Sequence, residues 1–402
     1  MNLIGNILAD IARRESQRLQ HEDRLSIGLL AGDLGSVMFL YEYSRLDSQY
    51  QSIADNLLDK LLSNLRYSIP IQTYCNGLAG TVIGMYAMRN EGFVDDFSPL
   101  LAQIDVYLQS SLHNMLQSNN HDFLHGFIGL GFYWLYRYYS GCSTAIEALV
   151  SIIEHLKESC EHDGKCIKWR LPESRWRKAY NISLSHGCSS TIVLLCQMLE
   201  IPELKHRYGT ELEQMISGAV NYIMANRVDE AQLGCWFASS SLECEEPHHG
   251  RLAWCYGDLG ICIALYHAGK ALNDKTLIDF SRRVLEYSGI YRRDLQQNYV
   301  NDACLCHGAA GIGLIFREMS KCHSSVILSN TADYWKQAVL QQVVDHQDGL
   351  NFTFYDVMSR SYQEKTGILE GSVGVAMYLL NEVAQSSLSE FLLINNNRDS
   401  NV

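Results

Sequence analysis

Residues Arg251-Leu252-Ala253-Trp254-Cys255-Tyr256-Gly257-Asp258-Leu259-Gly260 are followed at once by the apolar run Ile261–Tyr266. The two glycines allow close backbone approach, and the apolar run predicts a buried helix that begins at this turn. Amide groups at a helix start favour negative charge, so a cysteine there ionises more readily than usual. The motif predicts a reactive or metal-bound thiolate at Cys255, and a helix cap beside a buried cysteine is the alternative.

The same glycine step, followed by an apolar helical run, recurs along the chain. Its seven copies begin at Gly32, Gly77, Gly126, Gly187, Gly257, Gly308 and Gly371, and Ser190 replaces the second glycine of the fourth copy. Their spacings of 45, 49, 61, 70, 51 and 63 residues approach the length of two helices with their loops. Segments between the copies, such as Ile53–Leu62 and Leu277–Leu285, are apolar on one side only.

Each repeat therefore predicts an amphipathic outer helix, a glycine turn, and an inner helix that is apolar nearly all round. The whole chain, residues 1–402, is predicted to be a single all-α domain. Its architecture would be an α,α-toroid of seven inner and seven outer helices, with the glycine turns at one mouth. An open solenoid is the alternative, but it needs polar caps, and the first and last copies are as apolar as the middle ones.

The composition excludes several classes of protein. With 47% hydrophobic and 19% charged residues in 402, the chain can bury a large core and is not disordered. A net charge of -13 argues against binding to nucleic acid or to an acidic membrane surface. The sequence has no apolar window long enough for a transmembrane helix and no basic secretory signal. Thirteen cysteines, an odd number, indicate a reducing compartment, so we expect a cytoplasmic protein.

Side chains that can act as acids, bases, nucleophiles or metal ligands are concentrated before four of the turns. These are the segments Asp122–His125, Ser183–His186, Arg251–Tyr256 and Asp302–His307. If the turns share one mouth, these segments meet there, and function is asymmetric around the ring.

Cys255, Cys306 and His307 make a possible zinc site. Two sulfurs and one imidazole suit zinc, and three protein ligands leave a fourth position for water or substrate, as in catalytic sites. The spacing is not a zinc-finger pattern, and two buried thiols with a core histidine are the alternative.

Trp254-Cys255-Tyr256-Gly257, Cys306-His307-Gly308, Ser185-His186-Gly187 and the repeated glycine turns together resemble the lanthionine synthetase C-like family. This family comprises the cyclases of class I lanthipeptide biosynthesis and their relatives, and the resemblance covers nearly the whole chain. It implies an α,α-toroid with one zinc ion per chain, bound by Cys255, Cys306 and His307.

The resemblance also implies a reaction: peptide cysteines add to dehydroalanine or dehydrobutyrine and form lanthionine or methyllanthionine thioether rings. His186 matches the family's histidine and would be the general acid/base. Arg251 would stabilise the enolate or hold a carboxylate, Asp122 would orient His186 or pair with Arg251, and Tyr256 would hydrogen-bond the substrate or the enolate. The alternatives are a helix-cap or core histidine, a structural ion pair, and a cavity wall.

The implied partner is a dehydrated precursor peptide, with a lanthipeptide dehydratase and an export complex as further partners. The early spacings leave no room for the small inserted peptide-binding domain of some bacterial members. Extra length lies instead in Cys235–Gly250, which is expected to be a solvated loop rather than a second metal site. His125 is a weaker site candidate, and Ser190 is expected to shift the helix that follows His186.

Three other functions remain open from the sequence. One is a relative that adds glutathione or another small thiol to dehydrated residues. Another is a non-catalytic, zinc-bearing peptide-binding protein. An unrelated α/α ring enzyme is disfavoured for two reasons. Such enzymes do not use a Cys-His-Gly motif, and this sequence shows no evident pair of catalytic carboxylates.

Overall fold

The structure, a computed structural model, describes residues 3–64, 71–172, 179–382 and 388–395. Helices account for 59% of it, and its strands form three antiparallel two-stranded hairpins. The prediction of an all-α fold is therefore correct for most of the structure, but it did not include the three hairpins. The count of seven inner and seven outer helices stays a prediction, as does the single domain.

The elements follow one another from the N-terminus to the C-terminus. The helices are α1 Leu3–His21, α2 Leu34–Tyr43, α3 Gln49–Asn64, α4 Leu78–Asn90, α5 Ser98–Gln117, α6 Phe127–Tyr139, α7 Ala145–Ser159, α8 Cys188–Glu200, α9 Pro202–Ala225, α10 Glu230–Leu233, α11 Asp258–Ala271, α12 Lys275–Tyr291, α13 Ala309–His323, α14 Val326–Leu340, α15 Ser372–Leu380 and α16 Leu388–Phe391. The strands are β1 Cys160–Asp163, β2 Cys166–Trp169, β3 Val344–His346, β4 Gly349–Asn351, β5 Phe354–Asp356 and β6 Ser361–Gln363.

The chain divides into two compact units. The first comprises Met1–Ile104, Asn301–Glu318 and Ala332–Val402, and the second comprises Asp105–Val300 and Met319–Thr331. In the first unit, α2 packs against α3 and α15, while α1 packs against α15 and β4. In the second unit, α8 packs against α9 and α11, α11 against α12, and β2 against α9.

The predicted contrast between two kinds of helix is confirmed. The helices that follow the glycine turns begin one or two residues after the first glycine. Every residue of α2 and of α15 is buried. By contrast, α3 buries Ala54, Leu57, Leu58 and Leu61 at helical spacing along one face. Apolar residues at this spacing form a single stripe, so the pattern in the sequence corresponds directly to the buried face.

The glycine turns exist because the backbone folds back onto the start of each helix. A Cβ at Gly80 would lie 1.9 Å from the carbonyl oxygen of Tyr74, six residues earlier, which no side chain tolerates. Leu78 at the start of α4 donates its backbone N–H to the carbonyl of Ile71, at 2.8 Å. Each turn is thus a short closed loop, and the residues just before its glycines are fixed next to a helix N-terminus.

Two cysteines within apolar runs have a structural role. Cys196 and Cys262 are buried in α8 and α11, and burial raises the pKa of both thiols. A thiol with a raised pKa stays protonated at neutral pH, so these cysteines act as small apolar groups. Among the described residues, no helix is both long and apolar enough to cross a membrane.

The close approach at the second glycine predicts the effect of adding one methyl group. Gly80→Ala would force the Tyr74 carbonyl away from α4 and lower the free energy of unfolding by about 1–3 kcal/mol. The matched control is Gly209→Ala in α9, where the nearest atom would be 3.8 Å away. That change is expected to raise the free energy of unfolding by about 0.5–1 kcal/mol, because alanine is the better helix former. Urea unfolding followed by circular dichroism measures both, and equal effects would contradict the prediction.

Candidate functional site

Asp122 and His186 form a hydrogen-bonded pair in the second unit. They lie in the turns before α6 and α8, and Nδ1 of His186 is 2.7 Å from Oδ2 of Asp122. The Asp122 side chain is buried, whereas 26% of the His186 side chain is exposed. The other carboxylate oxygen accepts the backbone N–H of His125 at 2.8 Å. A fixed carboxylate therefore holds one side of a partly accessible imidazole.

This arrangement sets the ionisation of Asp122. Burial raises the pKa of the carboxyl, but the hydrogen bond and charge of His186 and the backbone N–H of His125 outweigh it, so the pKa lies below its ordinary value. An ionised carboxylate can only accept hydrogen bonds, so Nδ1 of His186 carries the hydrogen. Nε2 is then the ring nitrogen at which His186 can take up or release a proton.

The turn that carries His186 is bonded to the turn that carries Cys255. Ser185 donates both its backbone N–H, at 3.4 Å, and its hydroxyl, at 3.2 Å, to the carbonyl of Cys255. The ring centroids of His186 and Tyr256 are 6.0 Å apart. The second unit thus brings together Asp122, His186, Cys255 and Tyr256, four residues that the sequence singled out.

Arg251 also lies in the second unit and is half-buried. Its guanidinium donates to the carbonyl of Tyr299 at 3.2 Å. A backbone carbonyl carries no net charge, so this hydrogen bond leaves the positive charge of Arg251 unneutralised.

Two groups of side chains have the chemistry to hold a metal ion. One is the predicted set, which takes Cys255 from the second unit and Cys306 and His307 from the first. The other is Asp302, Cys304 and His307, all in the first unit, whose ligand atoms lie within 4.8 Å of one another. Both cysteines of the first set are buried, and His307 is half-buried. Two sulfurs and one imidazole fit zinc better than a set that includes a carboxylate and one sulfur.

Two secondary candidates are also accounted for. The side chain of His125 is exposed, and its backbone N–H is the group that donates to Asp122. Ser190 is buried in the first turn of α8, where its hydroxyl donates to the carbonyl of Gly187 at 3.0 Å. Serine at this position is thus accommodated within the helix by its own hydrogen bond.

The segment Cys235–Gly250 differs from the expectation of a solvated loop. Cys235 and Phe237 are fully buried, and the backbone N–H of Gly250 donates to Sγ of Cys235 at 3.1 Å. The physical reason is Asp258, whose buried carboxylate accepts the backbone N–H of Phe237 at 2.9 Å. Sequence reasoning missed this role, although an acidic residue between the two glycines of an apolar turn was a visible signal.

A family model described as "Lanthionine synthetase C-like protein" matches residues 24–393. The chain belongs to the lanthionine synthetase C-like family. "Nisin biosynthesis protein NisC" of Lactococcus lactis subsp. lactis is 21% identical over 344 residues, which are 77% of this chain and 78% of that protein. A solved structure of "Nisin cyclase" superposes with a TM-score of 0.75, at 17% identity and 96% coverage of both chains. At that identity the likeness establishes a common fold, and the family match supports a cyclase.

The lowered pKa of Asp122 predicts how its contribution to stability varies with pH. At pH values above the ordinary carboxyl pKa of 3.8, the ionised pair with His186 stabilises the fold. This stabilisation is lost as the pH falls through the lower pKa that Asp122 has in the folded state. At pH 7, Asp122→Asn should lower the free energy of unfolding by about 1–3 kcal/mol. Urea unfolding of both proteins should show this difference shrinking below about pH 4. A difference that stays constant down to pH 2.5 would rule out the ionised pair.

Proposed function

We propose that this protein is a zinc-dependent lanthipeptide cyclase, which adds peptide cysteine thiols to dehydroalanine and dehydrobutyrine residues. The observation that carries the proposal is the buried Asp122 bonded to a partly exposed His186. This pair lies beside the turn of Cys255, in a chain of the lanthionine synthetase C-like family. The addition of a thiol requires a group that transfers a proton and a site that activates the thiol. His186 and the candidate metal ligand Cys255 could provide them.

The proposed reaction forms a carbon–sulfur bond without any change in overall oxidation state. The sulfur of a substrate cysteine bonds to the β-carbon of the dehydrated residue, and the electron pair of the carbon–carbon double bond moves toward the neighbouring carbonyl. The resulting enolate takes up a proton at the α-carbon, which replaces the proton lost by the thiol. The enzyme must therefore favour a thiolate, stabilise an oxyanion, and deliver one proton.

The zinc ligands in the proposal are Cys255, Cys306 and His307, with one ion per chain. Their donor atoms suit zinc, and the buried sulfurs provide a protected environment for it. Zinc bound there would lower the pKa of the incoming thiol, so that it attacks as a thiolate at neutral pH.

His186 is proposed as the residue that delivers the proton. Its Nδ1 is committed to Asp122, so proton transfer occurs at Nε2. Asp122 stabilises the protonated form of the ring and fixes its orientation, as a buried carboxylate does for a catalytic histidine elsewhere. The ring can then recover its proton from the substrate thiol or from water.

Arg251 and Tyr256 are proposed to contact the substrate. The guanidinium of Arg251 donates to a backbone carbonyl, which carries no net charge, so its positive charge is available for the enolate oxygen. The phenol of Tyr256, next to Cys255 and 6.0 Å from the His186 ring by centroids, can donate a hydrogen bond to the peptide or the enolate.

The proposal extends to architecture and partners. Residues 1–402 would form one toroid of seven inner and seven outer helices, without an inserted peptide-binding domain. The family match and the seven helices that begin at glycine turns support this. The substrate would be a dehydrated precursor peptide, with a dehydratase and an export complex as partners in the cytoplasm.

The metal is tested by elemental analysis of the purified protein under reducing conditions. We expect about one zinc ion per chain, and a loss of most of it in Cys255→Ala and in Cys306→Ala. The matched control is Cys196→Ala, which removes a buried thiol from α8 and should leave the zinc content unchanged. Native protein without zinc, even after refilling, would refute the proposed metal site.

The acid/base role is tested with His186→Ala and a peptide that contains one dehydroalanine and one cysteine. Without a positioned proton donor, the rate of cyclisation should fall by about 10²–10⁴-fold. The protein should stay folded, with a free energy of unfolding lower by about 1–3 kcal/mol because the bond to Asp122 is lost. The control His125→Ala removes an exposed ring and should cyclise at nearly the normal rate. Full activity of His186→Ala would remove His186 from the mechanism.

The same assay identifies the thiol that reacts. Cyclisation leaves the peptide mass unchanged and protects its cysteine from alkylation, whereas addition of glutathione raises the mass by one glutathione. With both thiols present, we expect the protected peptide. A glutathione adduct would instead assign the protein to small-thiol addition, and an unchanged peptide with a full zinc content would make it a binding protein.

A further inference from the structure

A second buried ion pair lies next to the candidate site, and the proposed reaction does not use it. Asp258 is the first residue of α11, and Arg292 follows the last residue of α12. Nη1 of Arg292 is 2.8 Å from Oδ2 of Asp258, and 2% and 0% of the two side chains are exposed. Because burial of two charges is costly, such a pair is tolerated only where further hydrogen bonds satisfy both groups.

Ser288 supplies one of these further bonds through its hydroxyl, 3.5 Å from Oδ2 of Asp258, and most of the others lead to the segment before Cys255. Asp258 accepts the backbone N–H groups of Trp236, at 3.1 Å, and Phe237, at 2.9 Å. Arg292 donates through Nη2 to the carbonyl of Gly250 and to Nε2 of His249, the latter at 3.3 Å. Nδ1 of His249 is 2.6 Å from the carbonyl of Leu233, so Nδ1 carries the hydrogen and Nε2 accepts from Arg292.

The third nitrogen of the Arg292 guanidinium, Nε, is linked through Asn298 to Leu252, the residue after Arg251. Nε of Arg292 donates to the side-chain oxygen of Asn298 at 2.9 Å, and the backbone carbonyl of Asn298 accepts the N–H of Leu252 at 3.3 Å. Arg292 therefore holds Gly250 directly and Leu252 through Asn298. Arg251 is the one residue between them.

The fifth glycine turn also contacts the backbone of Arg251, through Gly257. Gly257 has a positive φ of 77°, and a Cβ there would lie 2.1 Å from the carbonyl oxygen of Arg251. The carbonyl is thus pressed against the turn that begins α11, of which Asp258 is the first residue. The ion pair joins both sides of this contact, because Asp258 lies on the turn and Arg292 holds the segment before it.

We propose that Arg292 is a positioning residue of the candidate site, which fixes the His249–Leu252 backbone and thereby the location of Arg251. The proposal rests on the proposed function for the role of Arg251. Three groups in three directions must be reached at once: Asp258, Asn298 and the Gly250 carbonyl. The planar fork of arginine does this, and the single ammonium of lysine cannot. Arg292→Lys therefore keeps the charge and removes the positioning.

The matched control is Arg137→Lys in the same unit. Arg137 also forms a largely buried ion pair, with Asp105, through Nε at 2.8 Å and Nη2 at 2.6 Å. Its hydrogen bonds to Asp105 and Ser140 lie outside the segment that holds Arg251. A loss of stability that is merely structural should therefore appear in both variants, and a loss of positioning in Arg292→Lys alone.

The first measurement is amide hydrogen exchange by mass spectrometry on the full chain. Peptides that cover residues 248–257 should exchange at least about 10-fold faster in Arg292→Lys, and at the native rate in Arg137→Lys. Asn298→Ala, which removes one acceptor and no charge, should give a smaller change in the same direction. Exchange at native rates in both Arg292→Lys and Asn298→Ala would overturn the proposal. This measurement needs no substrate, so it decides the question even if the cyclase function fails.

The second measurement is a double-mutant cycle in the cyclisation assay. Arg292→Lys should lower kcat by about 10–100-fold with little change in KM, because a small displacement of a catalytic group costs rate rather than affinity. In an Arg251→Ala background, Arg292→Lys should cause no further loss. Additive losses, or an equal loss in Arg137→Lys, would show that Arg292 acts only on stability.

Discussion

The structure depends on one repeated constraint, the contact between a glycine and a backbone carbonyl six residues earlier. At Gly80 and Tyr74 the space is too small for any Cβ, and the same holds at Gly311 and Gly374. This contact turns the preceding segment into a closed loop on the helix N-terminus. Side chains that would be scattered along a loose loop are thereby held near the start of a helix, which gives a site part of the rigid support that it requires.

Two buried carboxylates of the second unit show how the environment assigns different work to the same group. Burial raises the pKa of both. At Asp122, His186 and a backbone N–H lower it by more, whereas at Asp258 burial dominates and the pKa stays above its ordinary value despite the charge of Arg292. The first carboxylate faces a partly exposed ring that can exchange protons. The second faces a guanidinium that cannot, and it therefore contributes geometry alone.

Much of the fold was predictable because it depends on patterns of neighbouring residues in the sequence. Helical periodicity gave the one-sided α3 and the fully buried α2 and α15, and the glycine steps marked where those helices begin. The pair of Asp122 and His186 was one of two alternatives that the family resemblance implied for Asp122, the other being a pair with Arg251. Nothing in a 64-residue separation fixes such a contact. The three hairpins and the burial of Cys235 were not predictable, because they depend on tertiary hydrogen bonds such as those of Asp258.

The two hydrogen bonds from Ser185 to the Cys255 carbonyl have a mechanical consequence. They link two turns that are 70 residues apart in sequence into one stiff piece. Under the proposed function, a bound peptide that displaced the turn of Cys255 would also displace the turn of His186, so the distance between the two turns would change little.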